Sequence, residues 1–225
     1  MQLAELSTKE NIIITTTEPL PTCEEHLTGK AFQDMIDPRL SSLKRDGIAC
    51  FDKPGVHALP IQRFDDGTVK ARLIQSLPDY QGVFGRPQTE VVFDAKVCSQ
   101  ASFNLDKYRI SLRKARSRQL RHMYERSSFG SACFFLIHFN GRQLKTRSVP
   151  AVTYAFPVRE NHPLWVSFES GSHKSISIKD CESYAIEVPW TLYRQERIPR
   201  PDVMLASVAV AKMNSGRMNG SWNEV

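Results

Sequence analysis

Asp79, Asp94 and Lys96 are the side chains of this sequence whose types and spacing could do chemistry. They lie in residues 78–96, Pro-Asp-Tyr-Gln-Gly-Val-Phe-Gly-Arg-Pro-Gln-Thr-Glu-Val-Val-Phe-Asp-Ala-Lys. Two carboxylates brought together can hold a hard divalent cation such as Mg2+ through oxygen. Such a cation lowers the pKa of a bound water and neutralises charge on a phosphoryl group. A lysine beside it can orient that water or counter the negative charge that develops. The bare pattern, an aspartate followed later by Asp-x-Lys, is weak. A second reading therefore stands beside the first: an edge strand carrying a surface ion pair, Asp94 with Lys96, which contributes about 0–1 kcal/mol.

The acidic and basic groups can meet only if the local structure brings them together. Gly82, Gly85 and Pro87 predict a turn, and residues 89–96 predict a strand. Alternate strand residues share a face, so Val91, Phe93 and Ala95 point one way and Val92, Asp94 and Lys96 the other. With Asp79 on a neighbouring strand, both carboxylates converge on a space faced by Lys96. A basic stretch follows: Lys107, Arg109, Arg113, Lys114, Arg116, Arg118 and Arg121 fall within residues 107–121, where acids are nearly absent. Its second half, residues 112–124, reads as a helix with Leu112, Ala115, Leu120, Met123 and Tyr124 as packing residues. Gln119 and His122, three apart, share a face of that helix. They either point back at the acidic pair or, for His122, serve as an ordinary structural histidine. The basic run is either a solvated helix face or a phosphate-binding surface, and the strand just before it favours the second.

The chain has 225 residues, a 41% hydrophobic fraction and a formal net charge of +6. Its isoelectric point is about 9.1. This is enough apolar material for one real core, with a charge balance suited to an anionic partner. Cys23, Cys50, Cys98, Cys133 and Cys181 are widely spaced, without Cys-x-x-Cys or Cys/His ligand spacing. A zinc site or disulfide framework is not expected, and reduced thiols in a cytoplasmic protein fit the pattern. No signal peptide or bilayer-length apolar run is visible.

Residues 1–28 read as a flexible N-terminal arm. Residues 29–43 predict a helix from Phe32, Met35, Ile36, Leu40 and Leu43, kinked or split at Pro38 and ended by Gly47. A short strand is expected over residues 48–51. Residues 61–64 and 68–74 flank Asp65-Asp66-Gly67, a hairpin signal, with Lys70 and Arg72 alternating against apolar neighbours. Residues 131–139 are strongly apolar and predict a strand buried on both faces. Residues 152–158 predict another strand, residues 174–178 form a short alternating segment, and Asp180 predicts a cap for a short helix over residues 181–185. After Pro201 the chain reads as a tail, with disorder expected from Asn214.

This order of elements resembles the PD-(D/E)xK nuclease superfamily, and within it the RecU family of Holliday junction resolvases. The resemblance is carried by Asp79-Tyr80-x-Gly82, by Phe93-Asp94-Ala95-Lys96, by Gln119 with His122-Met123, by Lys174-Ser175-Ile176 with Asp180, and by Pro199-Arg200 ahead of Asp202. It runs over about residues 29–205. It implies an α/β fold with a restriction-endonuclease-like core: a mixed central sheet flanked by helices, with a projecting basic hairpin, or stalk, at residues 60–76. It implies a nuclease domain over 29–205 and a C-terminal tail over 206–225. It also implies that Asp79 and Asp94 are metal ligands, assisted by the Ala95 carbonyl, that Lys96 is the catalytic lysine, and that Gln119 lies near the site. Mg2+ is the implied cofactor, with Mn2+ as a substitute. The implied partners are four-way junction DNA and a second copy of the chain. Lys70, Arg72, Arg113, Lys114, Arg116, Arg118, Arg121 and His122 are the expected DNA contacts. The family's first-helix carboxylate falls at Gln33 here, with Asp34 beside it as the candidate third ligand, and the stalk is short. Two other outcomes stay open at this stage: a restriction, repair or phage nuclease on the same core, and a DNA-binding recombination protein whose nuclease centre has decayed.

Overall fold

A strand that is apolar along its whole length needs cover on both faces, and the run at Ala132–Phe139 sets that demand here. A computed structural model of the chain describes residues 27–54, 57–63, 69–74, 77–85, 88–109, 115–143, 148–192 and 199–214, with the backbone alone at 57–63, 69–74 and 115. In chain order the elements are α1 (Gly29–Arg45), β1 (Ala49–Asp52), β2 (His57–Arg63), β3 (Val69–Ile74), β4 (Tyr80–Phe84), β5 (Thr89–Cys98), β6 (Ser102–Asn104), a 3-10 turn (Asp106–Tyr108), α2 (Ala115–Ser128), β7 (Ala132–Phe139), β8 (Arg142–Gln143), β9 (Ser148–Val149), β10 (Val152–Pro157), α3 (Pro163–Glu169), β11 (Ser175–Ser177), α4 (Ile178–Tyr184), β12 (Ile186–Glu187), β13 (Trp190–Thr191), β14 (Arg200–Pro201) and α5 (Val203–Asn214).

The fold is a mixed α/β arrangement. Its central six-stranded sheet has the order β1-β4-β5-β7-β10-β12. Only β5 and β7 run parallel; the other four pairings are antiparallel. A parallel pair needs a crossover, and α2 supplies it. All eight residues of β7 are buried. One face of the sheet packs Phe93, Ala95, Phe134 and Leu136 against Phe32, Ile36, Leu40 and Leu43 of α1 and Val203, Ala206 and Val210 of α5. The other packs Val92, Phe135, Ile137 and Phe156 against Leu120 and Met123 of α2, Leu164, Trp165 and Phe168 of α3, and Tyr108.

Thr28 caps α1 by accepting from the Ala31 N–H at 3.2 Å. Just before it, Leu27 and Asn140 exchange two hydrogen bonds, at 3.2 and 3.1 Å, tying the helix start to the end of β7. Of the kink or split expected at Pro38, the split does not occur: α1 runs as one helix through it. An interior proline costs about 3 kcal/mol. Four large apolar residues, two on each side of Pro38, are buried on one face, and each contributes about 1.5–3 kcal/mol. Packing therefore outweighs the missing backbone bond.

Three other local expectations are corrected. Gly82 is not in the turn but inside β4; the turn glycine is Gly85, at φ +75°. Gly82 is required because a Cβ there would stand 2.2 Å from the Cys50 carbonyl oxygen of β1, so only a bare backbone lets the two strands close. Asp180 is not the cap of its helix: Ser177 is, and Asp180 completes a capping box three residues later, so α4 starts earlier than expected. Residues 203–214 are a helix, not a tail, and they cross the boundary placed at 205/206. α5 is apolar nearly all round, so it shows no 3.6-residue period to read.

The two arms expected at 61–64 and 68–74 are present as β2 and β3, which pair with each other and not with the central sheet; the register shifts between Pro60 and Gln62. The Asp65-Asp66-Gly67 turn, Arg113, Lys114 and most of residues 1–28 and 206–225 lie outside the described residues. Among the described residues no helix is long and apolar enough to cross a membrane.

Two buried histidines give the fold an acid limit. Trp190 Nε1 donates to Thr153 Oγ1 at 2.8 Å, and His138 Nδ1 lies 2.9 Å from the same hydroxyl. Burial depresses His138 to about 4, and burial followed by Arg159 depresses His162 to about 4, from an ordinary 6.5. A histidine whose folded pKa is lowered contributes stability above its unfolded pKa and loses it as pH falls toward the folded value. The melting temperature should therefore drop between about pH 6.5 and about pH 4. A melting curve flat across that range would contradict the burial of both rings.

Candidate active site

Strand register builds the site. In the β4–β5 ladder Tyr80 pairs with Phe93, so Asp79, the residue before β4, falls opposite Asp94. The two aspartates hold each other's strands. The Asp79 N–H donates to Asp94 Oδ1 at 3.3 Å, and the Ala95 N–H donates to Asp79 Oδ2 at 3.0 Å. Lys96 completes the group: its Nζ lies 2.7 Å from Asp94 Oδ2 and 3.5 Å from Asp79 Oδ2. Asp79 is 7% exposed and Asp94 fully buried.

This overturns the reading of Asp94 and Lys96 as a surface pair on an edge strand. β5 is internal, between β4 and β7. A buried ion pair must offset several kcal/mol of lost hydration per ion, so it is a poor way to gain stability. Burial pushes the Asp94 carboxyl above its ordinary range; Lys96 opposes this and the nearby charge of Asp79 adds to it. For Lys96, burial works against the charge, but Asp94, then Tyr108 and Asp79, outweigh it and hold the amine charged. Titratable groups perturbed together in this way, by burial and by one another, are characteristic of functional sites.

Neighbouring side chains fix the pair. Gln119, buried on α2, donates through Nε2 to the Leu77 carbonyl at 2.9 Å and so anchors the segment that leads into Asp79. On the other side of Asp79, the Tyr80 ring stacks on Phe93 at 4.6 Å and 14°, and its hydroxyl donates to Asp37 Oδ1 at 2.7 Å. Lys53 pairs with Asp37 and lies 5.1 Å over the Tyr80 ring. Sequence reasoning missed Asp37, Lys53 and Tyr108. Asp37 shares a turn with Gln33 and Asp34, but nothing in the pattern indicated that it would meet Tyr80.

The donor set suits a small divalent cation. Asp94 Oδ2 is buried and takes no hydrogen bond of good geometry, having only the Lys96 ammonium beside it. Such an oxygen is free to accept a metal ion. Two carboxylates with the remaining positions left to water and phosphate oxygens is the way Mg2+ is usually held. The Ala95 N–H is engaged by Asp79 Oδ2. Asp34 does not join the group: it is exposed and pairs with Lys30 at 3.2 Å. Among the described residues no three His, Cys, Asp or Glu side chains converge as metal ligands.

Of the expected DNA contacts, Arg116, Arg118 and Arg121 are exposed on α2, the helix that also carries Gln119. His122 is half-buried, and its pKa is lowered by burial and then by Arg126. Lys70 and Arg72 lie on β3, where the backbone alone is described.

The Gln119 anchor can be tested by Gln119→Leu, which leaves the Leu77 carbonyl without its donor. The expected cost is about 1–3 kcal/mol in stability. DNA cleavage should fall about tenfold or more, because a small displacement of Asp79 is enough to spoil the geometry. Unchanged cleavage rates alongside a lowered melting temperature would limit Gln119 to a packing role.

Residues 27–198 match the family described as RecU, recombination protein U. Among solved structures the chain is similar to Hjc, a Holliday junction resolvase from the archaeal hyperthermophile Archaeoglobus fulgidus, at 13% identity over 69% of this chain and 94% of that one, with a TM-score of 0.37. No curated protein matches the chain. The family match spans α1, the paired aspartates, Lys96 and Gln119, and with it the chain belongs to the RecU family of Holliday junction resolvases.

Proposed function

We propose that this protein resolves four-way DNA junctions by hydrolysing phosphodiester bonds at the Asp79–Asp94–Lys96 centre, with Mg2+ as its cofactor and Mn2+ able to substitute. The observation that carries this reading is the reciprocal hydrogen bonding of two buried aspartates with one lysine amine between their outer oxygens. Asp79 and Asp94 would hold the ion, and the Ala95 carbonyl is the third candidate donor. The bound ion would supply Lewis-acid stabilisation of the phosphate and a more acidic water. Lys96 offsets the negative charge that develops on the phosphate or orients the water, and Gln119 keeps Asp79 in place.

The basic face of α2 would track the DNA backbone, and the β2–β3 hairpin, in the position of the family's stalk, would enter the junction. A four-way junction has twofold symmetry and is cut on two opposed strands. A symmetric homodimer with one centre per strand fits that substrate. The nuclease domain read at 29–205 then extends to the end of α5, with arm and tail outside it. A cytoplasmic location goes with a DNA substrate.

Asp79→Asn keeps an oxygen that can accept from the Ala95 N–H and removes one charge. With Mg2+, junction cleavage should fall about 10²-fold or more in Asp79→Asn and in Lys96→Ala. Junction binding should hold or tighten in Asp79→Asn. Parallel assays on four-way junctions, flaps, linear duplex and single strands separate a resolvase from a less selective nuclease. A parent protein that binds junctions but cuts none of these with Mg2+ or Mn2+ would point instead to a decayed centre, which the absence of a third converging acid among the described residues would explain. Arg118→Ala and Arg121→Ala should each reduce the salt dependence of binding by about 0.9 in the log–log slope, across all substrates. An unchanged slope would remove that arginine from the phosphate-binding face.

A further inference from the structure

Tyr108 ends the 3-10 turn Asp106–Tyr108 and is fully buried. Its ring packs edge-on against Phe135 at 5.3 Å and 84°, and the Arg116 guanidinium lies 5.7 Å from its centre. Phe135 is the β7 partner of Asp94 in the parallel ladder, and both belong to the sheet face covered by α2. Tyr108 therefore stands on the residue beside Asp94. Its hydroxyl is buried and makes no hydrogen bond. The charged groups that act on that oxygen are Lys96, Asp94, Arg116 and Asp79. A buried hydroxyl without a partner is costly. Here it is retained within the field of the catalytic centre.

Lys96 has the complementary difficulty. Its ammonium lies 2.7 Å from Asp94 Oδ2 and 3.5 Å from Asp79 Oδ2, beside the carboxylates on which a divalent ion would draw. An ammonium and a divalent cation drawing on the same oxygens repel each other, and the double charge of the ion makes that repulsion strong. A largely buried amine displaced from its carboxylates needs another acceptor to stay charged. A phenol oxygen has two lone pairs and can accept from an ammonium, which has three donors and no acceptor.

We propose that Tyr108 is a positioning residue for the catalytic lysine: its hydroxyl oxygen accepts the Lys96 ammonium when a divalent cation takes the Asp79 and Asp94 oxygens, and so holds the amine beside the phosphate. The inference rests on the metal-binding reading of the aspartate pair. Tyr108 remains neutral throughout and contributes an acceptor only. Without it, the amine stays on the carboxylates and competes with the ion.

The test is calorimetric titration of the full chain with Mg2+ alone, without DNA. Tyr108→Phe removes only an oxygen that has no hydrogen bond, so folding is retained. Mg2+ affinity should fall about tenfold in Tyr108→Phe, the range expected for one hydrogen bond to a charged group. Lys96→Met should bind Mg2+ more tightly than the parent. Adding Tyr108→Phe to Lys96→Met should change nothing further, because there is no amine left to place; a merely structural tyrosine would show the same loss in both backgrounds. In junction cleavage at saturating Mg2+, kcat should fall in Tyr108→Phe while KM holds. In the parent, Mg2+ should also shift the tyrosine absorbance, and the shift should vanish in Tyr108→Phe and in Lys96→Met. Equal Mg2+ affinity in parent and Tyr108→Phe, or an equal loss with and without the amine, overturns the assignment of Tyr108 alone. Equal affinity in parent and Asp79→Asn overturns the metal site itself and the tyrosine's role with it.

Discussion

Two carboxylates are buried side by side here because each is a hydrogen-bond acceptor for the other's strand. The Asp79 N–H is satisfied by Asp94, and the Ala95 N–H by Asp79. Those bonds continue the β4–β5 ladder past its last backbone pair, so the acids close the β4–β5 pairing and form the site at once. The electrostatic cost of burying like charges is met by one amine, Lys96, and by the backbone dipoles. Removing Lys96 would leave two like charges uncompensated in low dielectric.

The rest of the chain serves that constraint from two sides. On one face α1 packs under β5 and offers Asp37 to the Tyr80 hydroxyl. On the other, α2 packs over β5 and β7 and offers Gln119 to the Leu77 carbonyl. Asp79 sits between these two attachments, on a stretch that would otherwise be a free loop end. Gly82 allows β1 to close onto β4. The site thus rests on regular elements rather than on loops, which is what a cleavage geometry tolerant of only small displacements needs.

The same helix that anchors Asp79 turns Arg116, Arg118 and Arg121 outward. In the proposed function, backbone recognition and chemistry would therefore be carried by the same helix and the strands it packs on. Membership of the RecU family accounts for this combination of a basic face and an acidic centre, since a nuclease must attract a polyanion toward a carboxylate pair that repels it. In the proposed function, long-range attraction would come from the exposed arginines. The local repulsion is reduced by Lys96 and, in the reading offered here, by a bound cation.

Much of the site was legible because strand alternation is a local rule. Val91, Phe93 and Ala95 on one face, and Asp94 with Lys96 on the other, follow from a period of two and hold in the structure. The apolar run of β7 and the packing residues Leu120 and Met123 of α2 were equally local. The failures were of two kinds. α5 lacked a period because it is apolar on nearly every side, and Pro38 was given too much weight because propensity does not register the packing of both flanking turns. By itself the sequence determined which residues were acidic, basic and apolar and which of them shared a face. Only tertiary structure decided that residue 79 falls opposite residue 94, that Asp34 stays outside while Asp37 reaches Tyr80, and that Tyr108 stands beside the pair. Those outcomes depend on register and on helix placement, and both are set by burying apolar surface between segments far apart in the chain, where no local pattern reports them.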